Sequence, residues 1–599
     1  MKRKTMARSR SALIALLIAP GAAGLGCDSA QTAPPGGFPD TSTPVADTVT
    51  PDVDTVEVEV DTAEPEPQRP AHCTGVIVPG PAPLRRLTKN EYTRSLQQLL
   101  GLDSRPGDAL PPEEETYGFD NNASGRGVTQ IHVERYMLIA ETLIKEALET
   151  QRSNIIKCDP YDISAELCAR QTIRDFGRLA YRRRLSTDEL ERYVTYFNSL
   201  YPTEGFDQSI AMILEVMLQS PWFLYRVELG QPDDDGDGVV ALTGNELATR
   251  LSYLLWGGPP DDYALAAAEV GLLDTKEGLA NEARRMLADE KARDAILHFH
   301  RQWLELTKLD AAFKDPALFP EYNEGLKNRL RTETEKFVDQ VIWQDDGDLT
   351  TLLSASWSMI DPTLAEHYGV DYPYPEAPAE GAPPSRPGFT KVELDDHRRG
   401  VLTHASILTI QAKYNQTSPV LRGKFVREQL LCQHLAPPPA DINITPPDLD
   451  PNLTTRERFR QHSDSEECAG CHRKMDPVGL TFEHYDALGR WRETEGGLPI
   501  DPSGELLFTW DVNGPVANAM ELIERLASSE EVRHCYALQW FRYTHGRDAA
   551  FADECTMFDL MEAFEEGDWK IQDLLVALTQ TDAFRYRPLP IPGGGTGVP

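Results

Sequence analysis

Apolar residues recur along this chain at three- and four-residue spacings, and the recurrences begin behind capping signals. Thr88-x-x-Glu91, Ser186-x-x-Glu189, Thr243-x-x-Glu246, Thr454-x-x-Glu457 and Ser528-x-x-Glu531 all fit one pattern. The hydroxyl accepts the third amide proton of a helix, and the carboxylate reaches back to the cap amide. Behind Thr88 the positions Tyr92, Leu96, Leu99 and Leu100 line one helical face, and Gly101 supplies the stop. Leu247, Leu251, Leu254 and Leu255 repeat the arrangement before Gly257. Alternating strand patterns are scarce, with short candidates near residues 505–509. The pattern predicts a mainly α fold of several helical subdomains with minor β.

The stretch beyond the N-terminal linker, roughly 520 residues, exceeds one ordinary core. Composition breaks rich in Asp/Gly, Pro/Glu/Gly and Pro/Asp fall near 231–241, 371–390 and 436–452. The first two separate a central helical domain at 242–370 from its neighbours; the other expected domains are helical ones at 82–150, 151–230 and 501–590 and a C-x-x-C-H-bearing one at 390–500, ahead of a Gly/Pro-rich tail.

Residues 1–26 read as a signal peptide, with Lys2, Arg3, Lys4, Arg8 and Arg10 before the apolar run Ala12–Ala19. Cys27 stands where a lipoprotein signal places its diacylated thiol. Gly24 replaces the usual large aliphatic residue of that signal, so an ordinary secretory peptide is the alternative. Residues 27–75 are acidic and rich in Pro and Thr, too poor in apolar surface to offset their ordering entropy, and predict a disordered tether. Loss of the leader lowers 59 basic residues to 54 against 95 acidic ones, a net charge of −41. That balance argues against nucleic acid and against anionic lipid surfaces. The expected setting is the cell envelope, with the chain exported and lipid-anchored, facing periplasm or exterior.

The densest chemistry is Cys468-Ala469-Gly470-Cys471-His472. Two thiols three positions apart can form thioethers to both vinyl groups of one haem, with the adjacent histidine as proximal iron ligand. A C-x-x-C disulfide and half of a zinc site are the alternatives. Zinc needs four ligands, and a second paired motif is absent, although His462 and His484 could supply two. Met475 lies too close along the chain to reach the opposite haem face. His462, His484, Met520, His534, His545, Met557 and Met561 are the distal candidates. Arg398, Arg399, Arg422, Arg427, Arg490 and Arg492 cluster in sequence around the motif. They are candidates for holding haem propionates, against the plainer reading of salt bridges to the abundant acids.

With Cys27 assigned to lipid and two cysteines to the motif, Cys73, Cys158, Cys168, Cys432, Cys535 and Cys555 remain. An even remainder in an exported chain predicts three disulfides. Local pairing favours Cys158–Cys168 and Cys535–Cys555, leaving Cys73 with Cys432. Asp233, Asp235 and Asp237 before Gly238 match the start of a calcium loop, but its closing carboxylate position is Gly244. A solvated acidic loop is therefore the first reading and calcium the second. His298 and His300 are two apart and do not share a helical face, which disfavours a metal pair and favours a core helix anchored by Trp303. No nucleophile elbow, zinc-protease motif, P-loop or dinucleotide fingerprint is present, so hydrolase and nucleotide chemistry lack support.

The phrases Arg86-Leu-Thr-Lys-Asn-Glu-Tyr92, Gly118–Ala123, Ala180–Leu185, Ser220–Arg226, Leu251–Trp256, Arg399–Thr403, Thr417–Gly423 and Cys468–Arg490 carry a resemblance. In that order, the chain resembles the exported planctomycete-type cytochrome-associated proteins built from domains of unknown function 1587, 1595, 1592, 1588 and 1585. It departs from them at Arg184, where proline is usual, and at Ser463, neither of which touches the motif. The resemblance implies a cytochrome c-like C-terminal segment and singles out His462 as distal ligand, because relatives carry a histidine at the matching place. The expected function is an envelope-anchored c-type haem protein for electron transfer or small-molecule redox chemistry, with a redox protein as partner. The alternative is a non-catalytic surface binding or assembly lipoprotein with structural cysteines.

Overall fold

Capping chemistry decides where the helices begin. In the computed structural model, Glu91 N–H donates to Thr88 Oγ1 at 3.0 Å and Thr88 N–H donates to the Glu91 carboxylate at 2.8 Å. The same reciprocal pair closes the starts at Ser186, Thr243 and Thr454. The expected box at Ser528 is not formed. Ser528 ends the preceding helix, and Ser529 caps the next one by accepting from Val532 N. Glu531 instead accepts from Gln433 and from Trp510 N. Residues 69–232, 236, 238–345, 347–374, 388–436, 447–464 and 466–589 are described, without the side chains of 461–467. Cys27, Asp233, Asp235, Asp237 and the His462 side chain lie outside the described residues.

The fold is mainly helical, 57% helix against 7% strand, so packing rather than sheet pairing organises it. The first core is built by α1 (Lys89–Leu100), α2 (Gln130–Thr150), α3 (Ala165–Ala180) and α4 (Thr187–Leu218). Their apolar faces meet around Tyr92, Ile144, Ile173, Phe197, Leu214 and Phe223. Strands β1 (Arg85–Arg86) and β2 (Tyr225–Arg226) pair antiparallel and join the two ends of this layer.

A second, larger core gathers α5 (Gly244–Leu255), α6 (Glu290–Trp303) and α7 (Glu324–Trp343) with segments far along the chain. These are α8 (Pro419–Phe425), α10 (Glu466–Gly479), on which α9 (Thr455–Asp464) packs, the antiparallel pair β3 (Gly504–Leu506) and β4 (Gly514–Val516), α11 (Ala519–Ser528), α12 (Glu530–His545), α13 (Glu554–Glu566) and α14 (Ile571–Gln580). Stacked aromatic rings bind distant parts together. Phe299 of α6 lies 3.6 Å from Trp540 of α12, centroid to centroid, and 5.4 Å from Phe119. As expected for a core helix, His300 and Trp303 are fully buried there, and burial holds the His300 imidazole down to about 4. The strand Tyr586–Pro588 pairs with Val239–Ala241, returning the chain's end to the start of this core.

Three disulfides are present, Cys158–Cys168 with the expected partners and two with partners exchanged. Cys73 bonds Cys555 and Cys432 bonds Cys535, in place of Cys535–Cys555 and Cys73–Cys432. The short loop favoured the local pair, but α12 directs Cys535 at the segment after α8. Its sulfur approaches the Gln429 carbonyl, while Cys555 opens α13 against the N-terminal turn Ala71–Cys73.

Candidate functional site

The Cys468–His472 motif lies in α10, and residues at i, i+3 and i+4 of a helix share one face. Cys468, Cys471 and His472 therefore occupy one arc. Cys468 is half-buried, Cys471 is exposed, and neither is in a disulfide. One turn on, buried Asp476 lies 2.9 Å from His472 Nδ1. A carboxylate there fixes the tautomer with the proton on Nδ1, so that Nε2 carries the lone pair a metal requires. Among the described residues, no other His, Cys, Asp or Glu converges with these three into a metal-binding cluster.

Close backbone packing holds α10 in place. A methyl group on Gly423 of α8 would stand 1.9 Å from the Met475 carbonyl oxygen, and one on Gly479 would stand 1.8 Å from the Pro419 carbonyl oxygen. The two helices thus cross with backbone against backbone at both ends of the contact. Arg427, just beyond α8, donates to the Lys474 carbonyl at 2.8 Å and to the Leu507 carbonyl at 2.6 Å. On α9, Thr455 and Arg458 are tied to Glu495.

The arginines near the motif serve the protein itself. Arg398 donates to the Thr403 and Gly489 carbonyls and lies 3.8 Å over the Tyr368 ring. Arg422 donates to the carbonyls of Phe482, Tyr485 and Asp486, and burial lowers its affinity for its proton. Burial also holds Arg427 down to about 10. Arg399 bonds the Asp395 and Arg398 carbonyls, Arg490 pairs with Asp486 and Glu321, and Arg492 with Glu483. Of the two expected roles, carboxylate pairing describes Arg399, Arg422, Arg490 and Arg492, and Arg398, Arg422 and Arg427 are buried clamps on backbone carbonyls.

The distal candidates separate by their surroundings. His484 stacks 4.5 Å from Trp491, which His397 covers on its other face at 3.9 Å, and its Nδ1 bonds the Arg492 carbonyl at 2.7 Å. His545 is buried against Phe541, and Met520, Met557 and Met561 pack in or against the large core. His534 of α12 lies beside Trp510, with ring centroids 5.1 Å apart, and burial lowers its basicity.

Two features escaped sequence reasoning. Asp476 carried a readable signal, its i+4 spacing from His472. Glu333 carried none: it is fully buried on α7, where Ser358 and Tyr368 donate to it at 2.8 and 2.5 Å, and His404 joins through Ser358 and Thr334. Its partners lie 25 to 71 positions away.

The architecture defines a mainly helical, disulfide-bonded chain with a C-x-x-C-H helix locked against its neighbours. Five domain families match along it, each described as a protein of unknown function: DUF1587 at residues 85–149, DUF1595 at 168–228, DUF1592 at 242–370, DUF1588 at 398–495 and DUF1585 at 514–584. The chain belongs to the proteins assembled from these five domains, and its C-x-x-C-H motif falls within the DUF1588 match. No curated protein and no solved structure matches it.

Proposed function

We propose that this chain is an envelope-anchored c-type haem protein that transfers electrons or performs small-molecule redox chemistry. The observation that carries the reading is the pairing of His472 Nδ1 with Asp476 on a helix whose two unbridged thiols share the histidine's face. These residues fit the group: Cys468 and Cys471 would hold it covalently, and His472 Nε2 would be its proximal ligand. Haem, when bound, supplies a reversible one-electron centre. Asp476 keeps the imidazole oriented, and the α8–α10 contact keeps the helix from shifting. The short label of the matching DUF1588 family, PSCyt3, points the same way. A calcium ion held by Asp233, Asp235 and Asp237 remains the lesser cofactor proposal.

The test is the full chain, made in a host with c-type maturation machinery. Covalent haem should survive denaturing electrophoresis, add the mass of one haem and give a pyridine haemochrome. Cys468→Ala with Cys471→Ala should abolish it. Protein from its native envelope that instead carries a Cys468–Cys471 disulfide or stoichiometric zinc would defeat the reading, leaving the structural-lipoprotein alternative. The anchor is tested separately: Cys27→Ala should move the protein from the membrane fraction to the soluble one, and unchanged membrane binding would refute lipidation there.

A further inference from the structure

Strand β3 and the turn after it run along α10 toward its N-terminal end. Gly504 lies against the Pro477 carbonyl, where an added methyl would stand 2.1 Å from the oxygen. Arg427 then holds the Leu507 and Lys474 carbonyls together. The Lys474 ammonium stands 5.5 Å from the centre of the Phe508 ring. As the chain advances from 504 to 508 it moves back along the helix from 477 to 474, and Lys474 is one turn from Cys471 on the same side.

Two large aromatic side chains face water at this place: Phe508 is 60% exposed and Trp510 is 65% exposed. The turn that carries them is firmly held. Gln433 donates to the Phe508 carbonyl at 2.7 Å and also to Glu531, which accepts from Trp510 N at 2.9 Å. Thr509 N donates to Asn513 at 2.9 Å, and Asp511 accepts from Ser529 Oγ and Glu530 N at the start of α12. Phe508 has a φ of 60°, in the left-handed region that a bulky side chain enters only when its surroundings impose it. Burial would favour both rings turned inward, yet several hydrogen bonds and an unfavourable backbone conformation hold them outward. That arrangement suits a flat, apolar occupant, and the thiols of the same helix, one turn beyond Lys474, indicate which one.

We propose that Phe508 and Trp510 form a wall of the haem pocket, receiving the macrocycle tethered at Cys468 and Cys471 and keeping water from it, with His534 behind Trp510 at the same edge. This rests on the haem reading above. The test compares the matured full chain with Phe508→Ser/Trp510→Ser and with the conservative Trp510→Phe. The double variant should keep one covalent haem per chain while its reduction potential falls, because water stabilises the ferric charge. Trp510→Phe should stay near the parent. In a Cys468→Ala/Cys471→Ala background, the double variant should leave the melting temperature unchanged, since both rings are already exposed. Equal potentials and spectra in haem-loaded parent and double variant would overturn the wall while sparing the haem. A lowered melting temperature in the haem-free background would also overturn it, by making the rings structural. Absence of covalent haem in the parent would remove both readings together.

Discussion

Asp476 lies one helical turn beyond His472 and holds its Nδ1 at 2.9 Å, so the helix that would bear the cofactor also orients the ligand. Asp476→Asn preserves the size of the partner and removes its charge. In haem-loaded protein it should leave covalent attachment intact and raise the reduction potential, because the ligand loses a neighbouring negative charge that favours ferric iron. Spectroelectrochemical titration of the two proteins checks this, and an unchanged potential would remove Asp476 from the site.

The Gly423–Met475 contact leaves no room for a side chain. Gly423→Ala should destabilise the fold by roughly 1–3 kcal/mol, the usual range for overpacking. Denaturant unfolding measures the loss. A variant as stable as the parent would mean that α8 and α10 are not pressed together as described.

Disulfide topology is directly checkable by non-reducing peptide mapping of mature protein. Peptides linked through Cys73–Cys555 and Cys432–Cys535 are expected beside Cys158–Cys168. Recovery of a Cys535–Cys555 peptide would contradict the exchanged pairs. In the chain-entropy model, a loop of about 100 residues such as that closed by Cys432–Cys535 contributes on the order of 4–5 kcal/mol. Removing that bridge should therefore lower stability more than removing Cys158–Cys168.

Stability should depend on pH through two buried groups of opposite sign. Burial raises Glu333 to about 7, above an unfolded value near 4.5. Its contribution is fully present below pH 4.5 and is lost as pH rises to 7, a span worth about 3 kcal/mol. Burial lowers His404 to about 3, so its contribution is present above the unfolded value near 6.5 and is lost as pH falls toward 3. In Glu333→Gln the decline between pH 4.5 and 7 should flatten while the acid loss remains. Denaturant unfolding across that range tests it, and parallel pH profiles for parent and variant would rule Glu333 out.

Most of what could be read from the chain lay within about one helical turn, and the Cys158–Cys168 bridge spans ten positions. Four of the five predicted capping boxes form because hydroxyl, carboxylate and amides are all local, and the shared face of Cys468, Cys471 and His472 follows from helical period alone. Ser528 failed because Ser529 offered the same hydroxyl one residue later and Glu531 was taken by Gln433 and Trp510. That competition is invisible in a five-residue window.

By itself, the sequence determined the helical class and four of five expected helix starts, because short-range hydrogen bonding and apolar spacing specify them; the C-x-x-C-H motif is read directly, and the domain order followed from the resemblance. Only the tertiary structure decided that Cys535 meets Cys432, that Arg398, Arg422 and Arg427 serve backbone carbonyls, and that Phe508 stands beside Lys474. Each of these joins segments whose separation in sequence carries no information about distance in space. The hydrophobic cores settle it by bringing those segments together, so that these buried guanidinium groups meet carbonyls of distant segments.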